Sequence, residues 1–107
     1  MKKIIVLIFI LFFLVACSKS NNTQLEIKPL TVNIQNFAFS PSEITINSRD
    51  TVTWINNDEA PHTITGDSFD SGTFINGQEF KNIFNEPGIY DYHCNFHSSM
   101  KGKVIVE

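Results

Sequence analysis

Sulfur and imidazole are scarce in this chain: its 107 residues include two cysteines, two methionines and three histidines. Iron–sulfur clusters need more thiolates than Cys17 and Cys94 provide. Attachment of c-type haem needs a Cys-x-x-Cys-His run, which is absent. Positive charge is thin as well, with 8 Lys and Arg against 11 Asp and Glu. So few cations cannot build the basic face that a nucleic-acid binder requires. The chain has no internal repeats, and beyond its N-terminal segment no stretch carries a sustained helical apolar period. Its long apolar run, residues 4–16, has 13 residues, short of the roughly 20 that a membrane-spanning helix needs.

That run follows Met1-Lys2-Lys3 and has the layout of a secretory signal peptide, residues 1–16. It closes on Leu14-Val15-Ala16-Cys17, which resembles the lipobox of bacterial lipoproteins, where the cysteine is lipidated and becomes the first residue after cleavage. An ordinary signal peptide or a short uncleaved anchor is the alternative. Two or more acyl chains, at about 0.8 kcal/mol per buried methylene, hold a protein stably on a bilayer. The expectation is a lipid-anchored protein of the cell envelope, outside the cytoplasmic membrane. Residues 17–30 then comprise lipidated Cys17 and a flexible tether, polar from Ser18 to Gln24. Residues 31–107 form one small domain, since removing residues 1–16 leaves 91 residues, too few for two. Without Lys2 and Lys3, six basic residues face 11 acidic ones, a net charge of −5. That balance permits steering toward a basic partner. It also serves solubility alone.

If lipid consumes Cys17, Cys94 has no partner for a disulfide. An unpaired thiol in an oxidising compartment is a liability unless something occupies it, as a metal would. Around it the chain reads Tyr92-His93-Cys94-Asn95-Phe96-His97-Ser98-Ser99-Met100-Lys101-Gly102, with His62 upstream in Ala60-Pro61-His62-Thr63. Taken singly, a Cys, a Met or a His in a small domain is most often core filler or a surface residue. Taken together in this order, one thiolate, two imidazoles and one thioether are the donor set of a blue-copper electron-transfer site. Zinc sites rarely use a thioether. If Cys94 ends a strand, the Cys-x-x-His-x-x-Met spacing gathers three donors around one point while the chain reverses, and His62 closes the site from elsewhere.

Short β-rich runs separated by turn residues occupy residues 31–34, 43–46, 51–56, 62–65, 78–84, 88–94 and 101–106. Ser40-Pro41-Ser42, Asn56-Asn57-Asp58, Asn76-Gly77 and Glu86-Pro87-Gly88 punctuate them. Such a pattern implies an all-β sandwich. Period-two alternation puts Tyr90, Tyr92 and Cys94 on one face and Asp91 and His93 on the other, so His93 is not a ligand. Val52 and Trp54 share a face, and Phe37, Phe39, Phe69, Phe74, Phe80 and Phe84 are expected to fill the core.

Six runs together resemble a known family, the cupredoxins, and within it the plastocyanin and amicyanin type. They are Phe37-Ala38-Phe39-Ser40-Pro41, Asp50-Thr51-Val52-Thr53-Trp54, Ala60-Pro61-His62-Thr63, Phe69-Asp70-Ser71-Gly72, Pro87-Gly88-Ile89-Tyr90-Asp91-Tyr92-His93-Cys94 and Met100-Lys101-Gly102-Lys103-Val104. The short Cys-x-x-His-x-x-Met loop looks like the amicyanin form. The resemblance implies an eight-stranded Greek-key sandwich holding one type 1 copper ion. It implies His62, Cys94 and His97 in a trigonal plane, with Met100 as a weak axial ligand. Three places depart from the family pattern. Arg49 stands where relatives often have Gly, at a cost on the order of 1 kcal/mol if the turn needs positive φ. The ligand loop reads Asn95-Phe96 and Ser98-Ser99 where relatives often have proline. Thr63 follows the first histidine where many relatives have Asn, and its hydroxyl is the candidate brace for the cysteine loop.

The leading functional expectation is a membrane-tethered electron carrier that shuttles one electron between redox proteins such as a cytochrome, an oxidase or another oxidoreductase. It would act as a monomer and catalyse nothing itself, because no catalytic pair or second metal cluster is visible. Pro61, Phe37 and Phe96 are candidates for an apolar rim around His97, and His93 for a second electron exit or an ordinary surface histidine. The alternative is a copper-binding storage or delivery protein, which would need accessible, exchangeable ligands.

Overall fold

Period-two patterning, interrupted by Asn, Gly and Pro, folds the chain into short strands, and the computed structural model describes residues 28–107. The signal segment, Cys17 and the tether as far as residue 27 lie outside the described residues. The strands are β1 Thr31–Gln35, β2 Ala38–Ser40, β3 Glu43–Ile46, β4 Asp50–Asn56, β5 Thr65–Gly66, β6 Glu79–Phe84, β7 Gly88–His93 and β8 Lys101–Val106. They form two four-stranded sheets, ordered β2-β1-β4-β6 and β3-β8-β7-β5. β1 runs parallel to β4 and β3 parallel to β8, while the other neighbours are antiparallel. The all-β sandwich expected from the sequence is therefore present.

Three details differ from the sequence reading. Residues 62–65 were expected to be a strand, but only Thr65 and Gly66 join a ladder, and His62 makes an isolated bridge to Phe74. His62, Thr63 and Ile64 are buried in succession, which no half-exposed strand allows, and Pro61 lacks a backbone donor. The second difference is β2, whose three residues are too few to show an alternation. It follows a two-residue hairpin between paired Gln35 and Ala38, in which Asn36 and Phe37 have φ of 55° and 56°. Phe37 sits at the tip of that hairpin and is 50% exposed, so it is not the core residue expected. Phe39, Phe69, Phe74 and Phe84 are buried, and Phe80 packs against the core from its edge.

The core is built around Trp54, in β4 with no exposure. Phe69 stacks on it at 6.1 Å between ring centroids, and Tyr92 meets it edge-on at 5.3 Å. Inward residues of the two parallel pairs complete the filling: Val32, Ile34 and Val52 from one sheet, Ile44, Ile46, Val104 and Val106 from the other. Arg49 has φ of 77°, so the turn before β4 does adopt the left-handed backbone that relatives meet with Gly. Its N–H donates to Phe84 O at 2.6 Å, which anchors the turn.

Strand directions give the sandwich two poles. β1 and β4 run toward the Asn36-Phe37 hairpin, and β7 ends beside the start of β8 at that same pole. The chain enters at the other pole. There Thr53 N–H donates to Leu30 O, and Lys28 Nζ lies 2.9 Å from Glu107 Oε1. The five residues of β1 separate the poles by about 17 Å at 3.4 Å per residue.

Tyr92 generates a test of core energetics. Its ring lies over Gly102, its partner across the β7–β8 ladder, where an added Cβ would overlap Tyr92 Cζ. Trp54 Nε1 and Tyr92 Oη are, among the described residues, the buried side-chain polar atoms without a hydrogen-bond partner. Burial pushes the Tyr92 phenol up from 10.0 to about 12, with the nearby Trp54 indole N–H opposing it only in part. A raised folded-state value means stability that is complete below the unfolded value and lost as pH rises toward the folded one. In urea unfolding of the metal-free domain, Tyr92→Phe should be more stable than wild type by about 1 kcal/mol at neutral pH. The gap should widen between pH 10 and about 12, where only the wild type carries this phenol. A gap that stays constant across that window would show that the phenol is not sequestered.

Candidate metal centre

β7 delivers a cysteine to the hairpin pole because its alternation continues one residue past the ladder. Tyr92 points inward and His93 outward, so Cys94 points inward again, with 0% exposure. The chain then reverses through residues 95–99 and returns at Met100 to start β8. Two backbone bonds close this loop, Cys94 N–H to Met100 O at 3.2 Å and Met100 N–H to His97 O at 2.9 Å. His62 arrives from the β4–β5 connection, pinned to Phe74 by reciprocal backbone bonds of 3.1 and 2.9 Å.

The three donors converge. Cys94 Sγ lies 3.6 Å from His62 Nδ1 and 3.9 Å from His97 Nδ1, and all three ligand atoms fall within 4.8 Å of one another. A metal ion bonded at about 2.1 Å to nitrogen and about 2.3 Å to sulfur in a trigonal plane would set each N···S edge near about 3.8 Å. The observed edges bracket that value, so the residues fit a trigonal ion. His62 and Cys94 have no exposure and Met100 has 4%, while His97 is half-buried at the surface. Met100 thus stands buried next to the group, bonded through its backbone to Cys94 and His97. His93 stays apart, facing the other side with Nε2 3.0 Å from Asn95 Oδ1. Phe96 is 52% exposed in the loop beside His97.

Thr63 grips the cysteine segment twice. Its N–H points at Cys94 Sγ from 3.5 Å, and its Oγ1 accepts the Asn95 N–H at 2.9 Å. The hydroxyl is itself tied to Thr65 Oγ1 at 2.9 Å. A backbone donor aimed at a thiolate stabilises its negative charge and tunes any metal bound to it.

Sequence reasoning missed Asp58. Its Oδ2 lies 2.9 Å from His62 Nε2, and its two oxygens accept the N–H groups of Asn36 and Phe37 at 2.7 and 2.9 Å. Burial works to raise the Asp58 carboxyl. The hydrogen bonds from Phe37, His62 and Asn36 outweigh it and hold the group below its usual range. The available signal was a carboxylate four residues before the histidine, in a turn that the sequence already marked. Phe37, carried by the hairpin that Asp58 holds, lays its ring edge against His97 at 4.9 Å and His62 at 5.5 Å.

Among the described residues this is the group of three or more His, Cys, Asp or Glu donors close enough to hold an ion. A sulfur and two imidazole nitrogens, buried on all but one side, suit an ion that changes charge without exchanging ligands.

Comparison with known proteins agrees with this geometry. A family model described as cupredoxin-like domain matches residues 4–106. Amicyanin of Paracoccus versutus is 35% identical over 85 residues, which cover 73% of this chain and 64% of that one. The chain therefore spans just under two thirds of the length of that relative. Plastocyanin of Scenedesmus fuscus is 34% identical over 84 residues, covering 64% of this chain and 86% of the other. A solved Cu(I) form of an amicyanin variant superposes with a TM-score of 0.70 at 32% identity, over 73% of this chain and 81% of that one.

The Thr63 brace can be tested without metal. Thr63→Val keeps the shape but leaves the Asn95 N–H without its acceptor, which should cost about 1–3 kcal/mol of stability. The Asn95 amide should lose its protection from hydrogen exchange while those of β7 keep theirs. Unchanged protection at Asn95 would mean that the hydroxyl does not hold the loop.

Proposed function

The chain belongs to the cupredoxin-like family, and on that premise we propose that it is an electron carrier holding one type 1 copper ion between His62, Cys94, His97 and Met100. The observation that supports this most is the approach of His62 Nδ1, Cys94 Sγ and His97 Nδ1 to one another in a buried setting. Bound there, copper supplies a one-electron couple between Cu(I) and Cu(II). The rest is the work of the chain. Cys94 offers a sulfur with no exposure to water, and the Thr63 N–H points at it from 3.5 Å. His62 is fixed by its bridge to Phe74, so the donor positions are set before any ion arrives. A site that moves little between oxidation states exchanges electrons rapidly.

His97 is the donor nearest solvent, and the exposed rings of Phe37 and Phe96 with Pro61 frame it. This is the surface through which a redox protein, such as a cytochrome or an oxidase, would dock. Complete burial of His62 and Cys94 supports a carrier over a storage or delivery protein, whose ligands must open to exchange metal. The carrier performs no chemistry of its own on a substrate.

Lipidation of Cys17 would place the protein in the cell envelope, outside the cytoplasmic membrane. The entry of the chain at the pole opposite His97 supports this arrangement. An anchor attached at that pole would leave the His97 face free to point away from the bilayer and open to a partner.

Two experiments test these readings. Titration with Cu(II) should produce an intense visible thiolate-to-copper band and a one-electron wave, with slow loss of copper to a mild chelator. Cys94→Ser should abolish the band while the sandwich stays folded, because the core around Trp54 does not include the metal; an equally coloured variant would refute the site. For the anchor, mature protein should carry a lipid mass and partition with membranes, and Cys17→Ser should release it. Detergent-free recovery of most wild-type protein would refute the anchor.

A further inference from the structure

We propose that Asp58 is a positioning residue of the copper centre: its carboxylate keeps the proton of His62 on Nε2, holds Phe37 across both histidines, and biases the site toward Cu(II). This inference rests on the copper reading above and deepens it. His62 is wholly buried, so each ring nitrogen needs a partner within the protein. A carboxylate can only accept, and with Asp58 Oδ2 at 2.9 Å the Nε2 atom must carry the hydrogen. Nδ1 is left with a free lone pair, and it is the nitrogen 3.6 Å from Cys94 Sγ. The ring is thereby fixed in the tautomer that a metal requires.

The same carboxylate supports the hairpin. Asn36 and Phe37 both adopt left-handed backbone, which is strained for any residue but glycine. Hydrogen bonds from their N–H groups to a charged acceptor are stronger than those to a neutral one and offset that strain. Asp58 is in turn fixed, its N–H donating to Asn56 Oδ1 at 2.8 Å and its carbonyl accepting from Asn76 Nδ2 at 2.9 Å. With 9% exposure, its negative charge is poorly screened by water. Reduction adds one electron from a redox partner and removes one unit of positive charge from the ion, so a fixed anion one imidazole away favours the oxidised form.

Long-range proton–nitrogen NMR of the metal-free wild type at about pH 8, where a free histidine is neutral, should find the His62 proton on Nε2. A bare Nε2 with the proton on Nδ1 alone would overturn the proposal, and this arm needs no variant. With copper bound, Asp58→Asn should weaken Cu(II) binding about 10–100-fold, weaken Cu(I) binding less, and so raise the reduction potential. Asp58→Glu, which keeps the charge, should return the potential toward wild type. A carboxylate with a structural role only would lower the melting temperature of Asp58→Asn and leave its potential unchanged, and that outcome refutes the bias. Failure of wild type to develop the visible band would instead refute the copper reading, so the two are distinguishable.

Discussion

A sulfur atom sealed from water at the end of β7 is the constraint on which the hairpin pole is organised. A purely apolar surround would leave such a sulfur without polar partners. This one faces a backbone N–H from Thr63 and two imidazole nitrogens. Those partners depend on two different parts of the chain: Thr63 and His62 on the bridge to Phe74, His97 on the closed loop before β8. The distant segments meet because both sheets end at this pole. The parallel pairs β1–β4 and β3–β8 fix that convergence, since a slip of one residue in either would turn Trp54 or Val104 out of the core.

Legibility in the sequence follows the range of the interaction. Cys94, His97 and Met100 lie within seven consecutive residues, and the alternation of β7 alone decides that Cys94 faces inward and His93 outward. The position of Arg49 in a left-handed turn was likewise readable, from where glycine is customary. Asp58 was not, because its function depends on contact with the Asn36-Phe37 hairpin some twenty residues earlier, which no local pattern encodes. Phe37 was misjudged as core for the same reason. An aromatic among alternating residues is inward by default, and only the positive φ at its own position carries it onto the surface. The strand expected at residues 62–65 failed where three buried residues in a row broke the two-sided pattern that defines a strand to a reader of sequence.

The histidines are held unequally, and this asymmetry separates two tasks. His62 is buried, bridged through its backbone to Phe74 and bonded at Nε2 to Asp58, so it belongs to the rigid sandwich. His97 sits in a short loop without proline, its ring touched by Phe37 and its backbone carbonyl by Met100 N–H. The fixed side resists any change in donor geometry that would slow electron exchange. The other side, with His97 half-buried at the surface, is the part of the site that reaches solvent. Phe37 links the two, since its ring contacts both histidines while its backbone is held by the carboxylate that also holds His62. The hairpin is the fixture for that link, because the Asp58 carboxylate holds its two left-handed residues and a turn without that hold would leave the ring free to move off the histidines.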